Sequence, residues 1–185
     1  MNRTIAGPHP DPHKPARFVP PPAATDAHCH IFGPGDRFPF AENRSYTPPD
    51  SGIDKFVALQ ERLGLSRAVF VQASCHGTDN SAMVDALRRG EGRYAGVAMV
   101  DESFTRDDIA ELHEAGVRGT RFNFVAHLGG APNLGTFWSV VELVAPFGWH
   151  IVLHFDAKDL PDHRDLLDRI PCPFIIDHMA RVDAS

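Results

Sequence analysis

The sequence predicts an α/β fold, a (β/α)8 TIM-type barrel of which about six of the eight strand-helix units are present. Short apolar, β-branched runs alternate strictly with amphipathic segments, and the runs are apolar almost throughout, as strands covered on both faces are. Chemistry-bearing residues recur at the C-terminal ends of several runs, whereas a doubly wound sheet would gather them at one crevice. No GxGxxG follows the first run.

The elements follow in order. Residues 1–22 carry Pro8, Pro10, Pro12, Pro15, Pro20, Pro21 and Pro22, which lack ladder donors and hold the backbone extended, so they read as an arm laid over the surface with His9 and His13 as solvated side chains. Residues 23–185 read as the barrel domain. Its strands are expected at TDAHCHIF (25–32), AVFVQA (68–73), AGVAMV (95–100), VRGTRFNF (117–124), HIVLHF (150–155) and FIID (174–177). Between them DKFVALQERLG places Phe56, Leu59 and Leu63 on one helical face and stops at Gly64, where a left-handed cap needs no Cβ. NSAMVDALRRG repeats the pattern with Met83, Val84 and Leu87 before Gly90, and in TRDDIAELHEAG Thr105 and Asp108 stand at capping-box spacing ahead of Ile109 and Leu112. TFWSVVELVAPFG and DHRDLLDRI supply two further helices. A closed barrel takes eight strands and about 250 residues. The expectation is therefore a C-terminally incomplete barrel, whose open sheet edges and apolar surface would drive homo-oligomerisation or aggregation unless covered.

Composition excludes some partners. The 185 residues carry a formal charge of -6 with both signs mixed along the chain, so no nucleic-acid or anionic-membrane footprint is visible. Cys29, Cys75 and Cys172 show no CxxC spacing and cannot all pair, which fits a reducing, cytoplasmic setting. The N-terminus lacks the apolar core of a signal peptide, and no run of about 18 apolar residues appears.

The candidate chemistry begins with Asp26, His28 and His30, at i, i+2 and i+4 of the first strand, where period two sends all three to one face. Two imidazoles there offer nitrogen ligands to a divalent ion or donors to a carbonyl. In QASCHGTDN, Ser74 and His76 precede a helix whose first N-H groups suit a carboxylate, while Asp79 or Asn80 serves as its cap; Cys75 is not read as a nucleophile. Arg118 and Arg121, an odd number apart, point to opposite faces. Arg121 lies nearer the strand's C-terminal end and is the expected carboxylate ligand, with Arg118 in an ion pair under the helices or at the rim. His154 and His178 end the fifth and sixth strands and converge with His28 and His30, whereas His113 and His163 fall in helices as surface residues.

DAHCHIFGP, FPF followed by Tyr46, VQASCHGTDN, GVRGTRFNF, GWHIVLHF and IDHMAR together resemble the 2-pyrone-4,6-dicarboxylate lactonase branch of the amidohydrolase superfamily, over residues 17–183. The resemblance implies a barrel of the metal-dependent hydrolase kind and hydrolysis of a carboxylate-bearing lactone in the breakdown of aromatic compounds. It implies His28, His30 and His178 as the catalytic histidines that polarise the lactone carbonyl, and Tyr46, Ser74, His76 and Arg121 as substrate ligands, with His127, His154 and Arg181 beside them. The family's general base is an Asp on the eighth strand, beyond the units present. His127 stands where the family has a second carboxylate-binding Arg, and His154 where it has a Tyr. The branch includes members that need no metal, but a fifth-strand histidine is a ligand in metal-dependent relatives. The expected cofactor is thus none or one divalent ion, zinc if any, on His28, His30 and His154. The alternatives are a metal-dependent amidohydrolase or decarboxylase of the same superfamily, and a catalytically dead remnant.

Overall fold

A computed structural model describes residues 3–9 and 17–183. Pro10, Pro12, Pro15 and His13 of the arm lie outside the described residues. The chain divides into two compact units after Gly96, inside one strand.

The first unit contains β1 (Arg3–Thr4), β2 (Thr25–Cys29), β3 (Tyr46–Thr47), α1 (Ile53–Leu63), β4 (Arg67–Val71), α2 (Ser81–Arg89) and the start of β5 (Tyr94–Ala98). β2 and β4 are parallel, and β4 neighbours β5. The arm is anchored by a two-residue parallel ladder, Arg3 opposite Tyr46 and Thr4 opposite Thr47. α1 ends as expected on Gly64, in the left-handed region at φ 71°. Its buried face, however, is Ile53, Phe56 and Gln60, while Leu59 and Leu63 are 38% and 37% exposed. Apolar spacing misses this because the Gln60 amide oxygen is needed inside, where it accepts the Tyr94 hydroxyl at 2.7 Å. Tyr94 completes an aromatic cluster with Phe56 and Phe70, at centroid distances of 6.0 and 4.8 Å. α2 buries Ala82, Met83, Ala86 and Leu87. Gly90 caps it in a right-handed conformation, and is needed for space instead: a Cβ there would sit 2.2 Å from Cδ2 of Tyr94.

The second unit continues from β5 through α3 (Arg106–Glu114), β6 (Val117–Asn123), α4 (Leu134–Val144), β7 (His150–His154), α5 (Leu160–Leu167) and β8 (Phe174–Ile176). β6, β7 and β8 pair in parallel in that order. α3 carries the expected capping box: the Thr105 side chain accepts from the Asp108 N-H, and the Asp108 carboxylate accepts from the Thr105 N-H at 2.7 Å. Trp149 is fully buried and donates its indole N-H to Nδ1 of His113 at 3.0 Å, so His113 is a packing residue and not the surface residue expected of it. Arg118 and Arg121 do face oppositely, but Arg118 donates to the His113 and Val117 carbonyls and forms no ion pair among the described residues. Parallel strands alternating with helices make this an α/β protein, as the periodicity predicts. Among the described residues no helix is long and apolar enough to cross a membrane.

Candidate active site

In the first unit the period-two expectation fails at its start. Asp26 pairs with Ala68 but Cys29 with Phe70, so three steps on β2 match two on β4 and a bulge intervenes. The bulge turns Asp26 back on its own chain, where its carboxylate accepts the His28 N-H at 3.2 Å. The two histidines stay together, ring centroids 5.1 Å apart and edge to face. His30 donates from Nδ1 to the Val71 carbonyl at 2.7 Å, because a carbonyl oxygen can only accept. In the neutral ring the lone pair is then on Nε2, the state a metal ligand needs, oriented by a backbone partner as such ligands are.

The turn after β4 is held by a buried amide: Gln72 donates to the Gly77 carbonyl at 3.1 Å and the Asp79 carbonyl at 2.7 Å. The Asp79 carboxylate accepts the Ser81 N-H at 3.0 Å, so the start of α2 already has its anion. His76, expected to hold substrate, is 2% exposed and has both ring nitrogens on backbone: Nε2 accepts the Gly33 N-H at 3.1 Å and Nδ1 donates to the Pro39 carbonyl at 3.0 Å. It fastens the 33–39 loop to the turn, and burial holds its pKa below the usual imidazole value. Tyr46 is half-buried beside Ser74 and Cys75; burial raises its pKa, against the hydrogen bond to Ser74. Burial pushes the Cys75 thiol up to about 11, which leaves it protonated and poorly nucleophilic.

The second unit brings Arg121, Asn123, His154, Asp177 and His178 together. Arg121 and Asp177 form an ion pair at 2.6 Å with side chains only 5% and 6% exposed. The same guanidinium nitrogen, Nη2, lies 3.1 Å from Nδ1 of His154. The Asn123 amide oxygen is placed as the second neighbour of that Nδ1, at 3.2 Å. Burial first, and then the charge of Arg121, pushes the His154 imidazole down to about 4, so it is neutral at physiological pH. His178 stacks edge to face on His154 at 5.1 Å and its Nε2 is 3.6 Å from the Asp177 carboxylate; its own side chain is 48% exposed. From His178 to Arg181 the backbone stays in the left-handed region, φ between 50° and 53°, which costs a non-glycine residue about 1–2 kcal/mol each. Arg181 is tied to Asp156 at 3.1 Å, and His127 lies exposed on a short turn, 6.4 Å from His154 between ring centres.

Sequence reasoning missed Asp177, Asn123 and Gln72. Asp177 was legible as an acid beside a strand-end histidine in IDHMAR, and Asn123 as the residue two positions beyond Arg121 on the same strand face. Gln72 carries no comparable signal.

Each unit thus carries histidines at strand ends, the second with a buried guanidinium beside them, which is where barrel-type enzymes place their chemistry. The amidohydrolase family model matches residues 25–185, and the chain belongs to that family. It is 45% identical over 175 residues to a 2-pyrone-4,6-dicarboxylate hydrolase of Comamonas testosteroni, covering 95% of this chain and 57% of that protein. It is 37% identical over 169 residues to a 4-sulfomuconolactone hydrolase of Hydrogenophaga intermedia, covering 91% and 56%. A crystal structure of a probable 2-pyrone-4,6-dicarboxylic acid hydrolase from Acinetobacter baumannii, with citric acid bound, matches with a TM-score of 0.76 at 27% identity, over 87% of this chain and 60% of that one. The chain thus spans under two thirds of the length of these relatives. The likeness bears out the expected family and its barrel-type fold.

Proposed function

We propose that the protein is a cytoplasmic lactone hydrolase acting on a small cyclic ester that carries a carboxylate, with no nucleic-acid or membrane partner. The observation that carries this reading is the buried, rigidly held Arg121 at the end of β6, in a chain similar along nearly all its length to two hydrolases whose names share an anionic lactone. Arg121 has a further donor, Nε, that is buried with no partner among the described residues. It is the group proposed to receive a substrate carboxylate, because a guanidinium fork matches one in geometry and charge. Tyr46 and Ser74 supply hydroxyl donors, and the role of His76 is to hold their loop. Arg181, already paired with Asp156, and the exposed His127 are proposed as outer contacts. With a histidine at 127 in place of a second arginine, a substrate with one carboxylate is favoured.

In the reaction, water adds to the ring carbonyl, its proton passes to a base, and the tetrahedral intermediate expels the ring oxygen to leave a carboxylate and a hydroxyl. His28 and His178 are proposed to polarise the carbonyl by donating to it, where donors matched to developing negative charge act most strongly. His30, whose Nδ1 proton is taken by the Val71 carbonyl, is proposed to join them as the imidazolium. A divalent ion would do the same and acidify bound water. The His30 Nε2 lone pair fits such an ion, but His154, with Nδ1 against a guanidinium, does not; no step is assigned to a metal.

The test is turnover of 2-pyrone-4,6-dicarboxylate, 4-sulfomuconolactone and monocarboxylated lactones, each with and without a chelator, against open-chain carboxylic acids as decarboxylation substrates. Ring opening of at least one lactone is expected. Failure on every lactone would overturn the reading, and carbon dioxide release from an acid would replace it with a decarboxylase.

A further inference from the structure

His154 and His30 are both placed at strand ends, yet their neighbours impose opposite tautomers. A guanidinium has donors only and does not lose its proton in proteins, so Nη2 of Arg121, 3.1 Å from Nδ1 of His154, can only donate to it. Nη2 hydrogen-bonds Nδ1 of His154 and is held there by the ion pair with the Asp177 carboxylate, 2.6 Å away. A proton on Nδ1 would instead face a buried positive charge. Asn123 presents its amide oxygen to Nδ1 at 3.2 Å, and it fits the same assignment with that amide turned over. Its amide can turn over without changing shape, and with its NH2 toward Nδ1 it gives a partner to Nδ2, the buried donor that otherwise has none among the described residues. The guanidinium has no such freedom, since its ion pair with Asp177, both side chains nearly inaccessible, holds it in place.

We infer that Arg121 locks His154 with its proton on Nε2, so that His154 meets the substrate as a hydrogen-bond donor and takes no part in holding a metal ion. Donation to a substrate oxygen rests on the lactone reading; the tautomer and the exclusion of a metal do not. A metal ion on Nε2 would require the proton to move to Nδ1, between the imidazole and Arg121. His30, with Nδ1 on the Val71 carbonyl, is the reverse case: in its neutral ring the lone pair is on Nε2.

The experiment is long-range proton-nitrogen NMR on protein labelled with ¹⁵N-histidine at neutral pH, with His154→Gln and His30→Gln for assignment. His154 should show a protonated Nε2 and a bare Nδ1, and His30 the opposite pattern. Zinc titration by calorimetry should find affinity unchanged within about twofold in H154Q and weakened by at least about tenfold in H30Q, the scale on which ligand shells act. With a lactone that is turned over, His154→Phe should raise KM about tenfold or more, the worth of one hydrogen bond to a charged group, and Gln, which keeps an N-H, should restore most of it. A proton on Nδ1 of His154, or loss of zinc affinity in H154Q, overturns the inference. Absence of lactone turnover, with the tautomers and zinc affinities as expected, overturns only the substrate reading and with it the donor role.

Discussion

Substituting Asp177 by Asn removes the counter-charge of Arg121 while nearly conserving shape. Both side chains are almost inaccessible, so water cannot take over the guanidinium. Two unit charges about 4 Å apart in an effective dielectric of about 20 interact by about 4 kcal/mol. Removing one partner of a buried pair costs about 3–5 kcal/mol, which agrees. At about 2–4 °C per kcal/mol for a chain of this size, D177N should melt about 6–20 °C lower than the wild type. Circular dichroism melts at fixed pH and salt, with urea unfolding alongside, would measure it. The double variant Asp177→Leu with Arg121→Met removes both charges, and should be more stable than either single one because neither leaves a charge unpaired. A D177N melting point within about 2 °C of wild type would refute the reasoning, since so small a change cannot accompany an uncompensated buried charge.

Three further outcomes follow from the same physics. His154, at about 4 when folded, stays near the ordinary value of about 6.5 when unfolded, so the unfolded chain binds the extra proton between those limits; its contribution to stability is complete above about 6.5 and is lost as pH falls toward 4, with His76 acting in the same direction. Urea midpoints at pH 7.5 and 5 should therefore fall, and a midpoint that rises would contradict it. Gly90→Ala drives a methyl group into the ring of Tyr94, itself pinned by Gln60, and should cost about 1–3 kcal/mol in thermal unfolding; no loss would mean the ring is free to move. Thr105→Ala deletes the cap of α3 and should cost about 1 kcal/mol, whereas a neutral result would mean the capping box contributes nothing to stability.

Alternation of strand and helix was legible because each covered strand needs a continuous apolar run and each helix an apolar stripe, and the glycine stop at Gly64 and the Thr105 cap are local chemistry readable from a few residues. The buried side of α1 was not, since a glutamine inside is explained only by a tyrosine 34 positions away. The bulge in β2 was equally hidden, because register is a property of two strands and spacing in one cannot reveal it. At the site the residue types were readable but their commitments were not. Arg121 and His76 were recognisable as polar residues where chemistry belongs, yet that Arg121 serves Asp177 and His154, and that His76 serves two backbone groups, depends on partners 33 to 56 positions distant in the case of Arg121.

The short ladder that lays Arg3–Thr4 against Tyr46–Thr47 also gives a place for a reporter. Arg3 is exposed, while Cys29, Cys75 and Cys172 all have thiols raised above their ordinary value by burial and so react slowly with alkylating reagents. A cysteine introduced at position 3 would be labelled ahead of the native ones, and a fluorophore carried there would sit beside the loop that bears Tyr46. Its emission would follow that loop as substrate binds, without a change to any residue assigned a part in the chemistry.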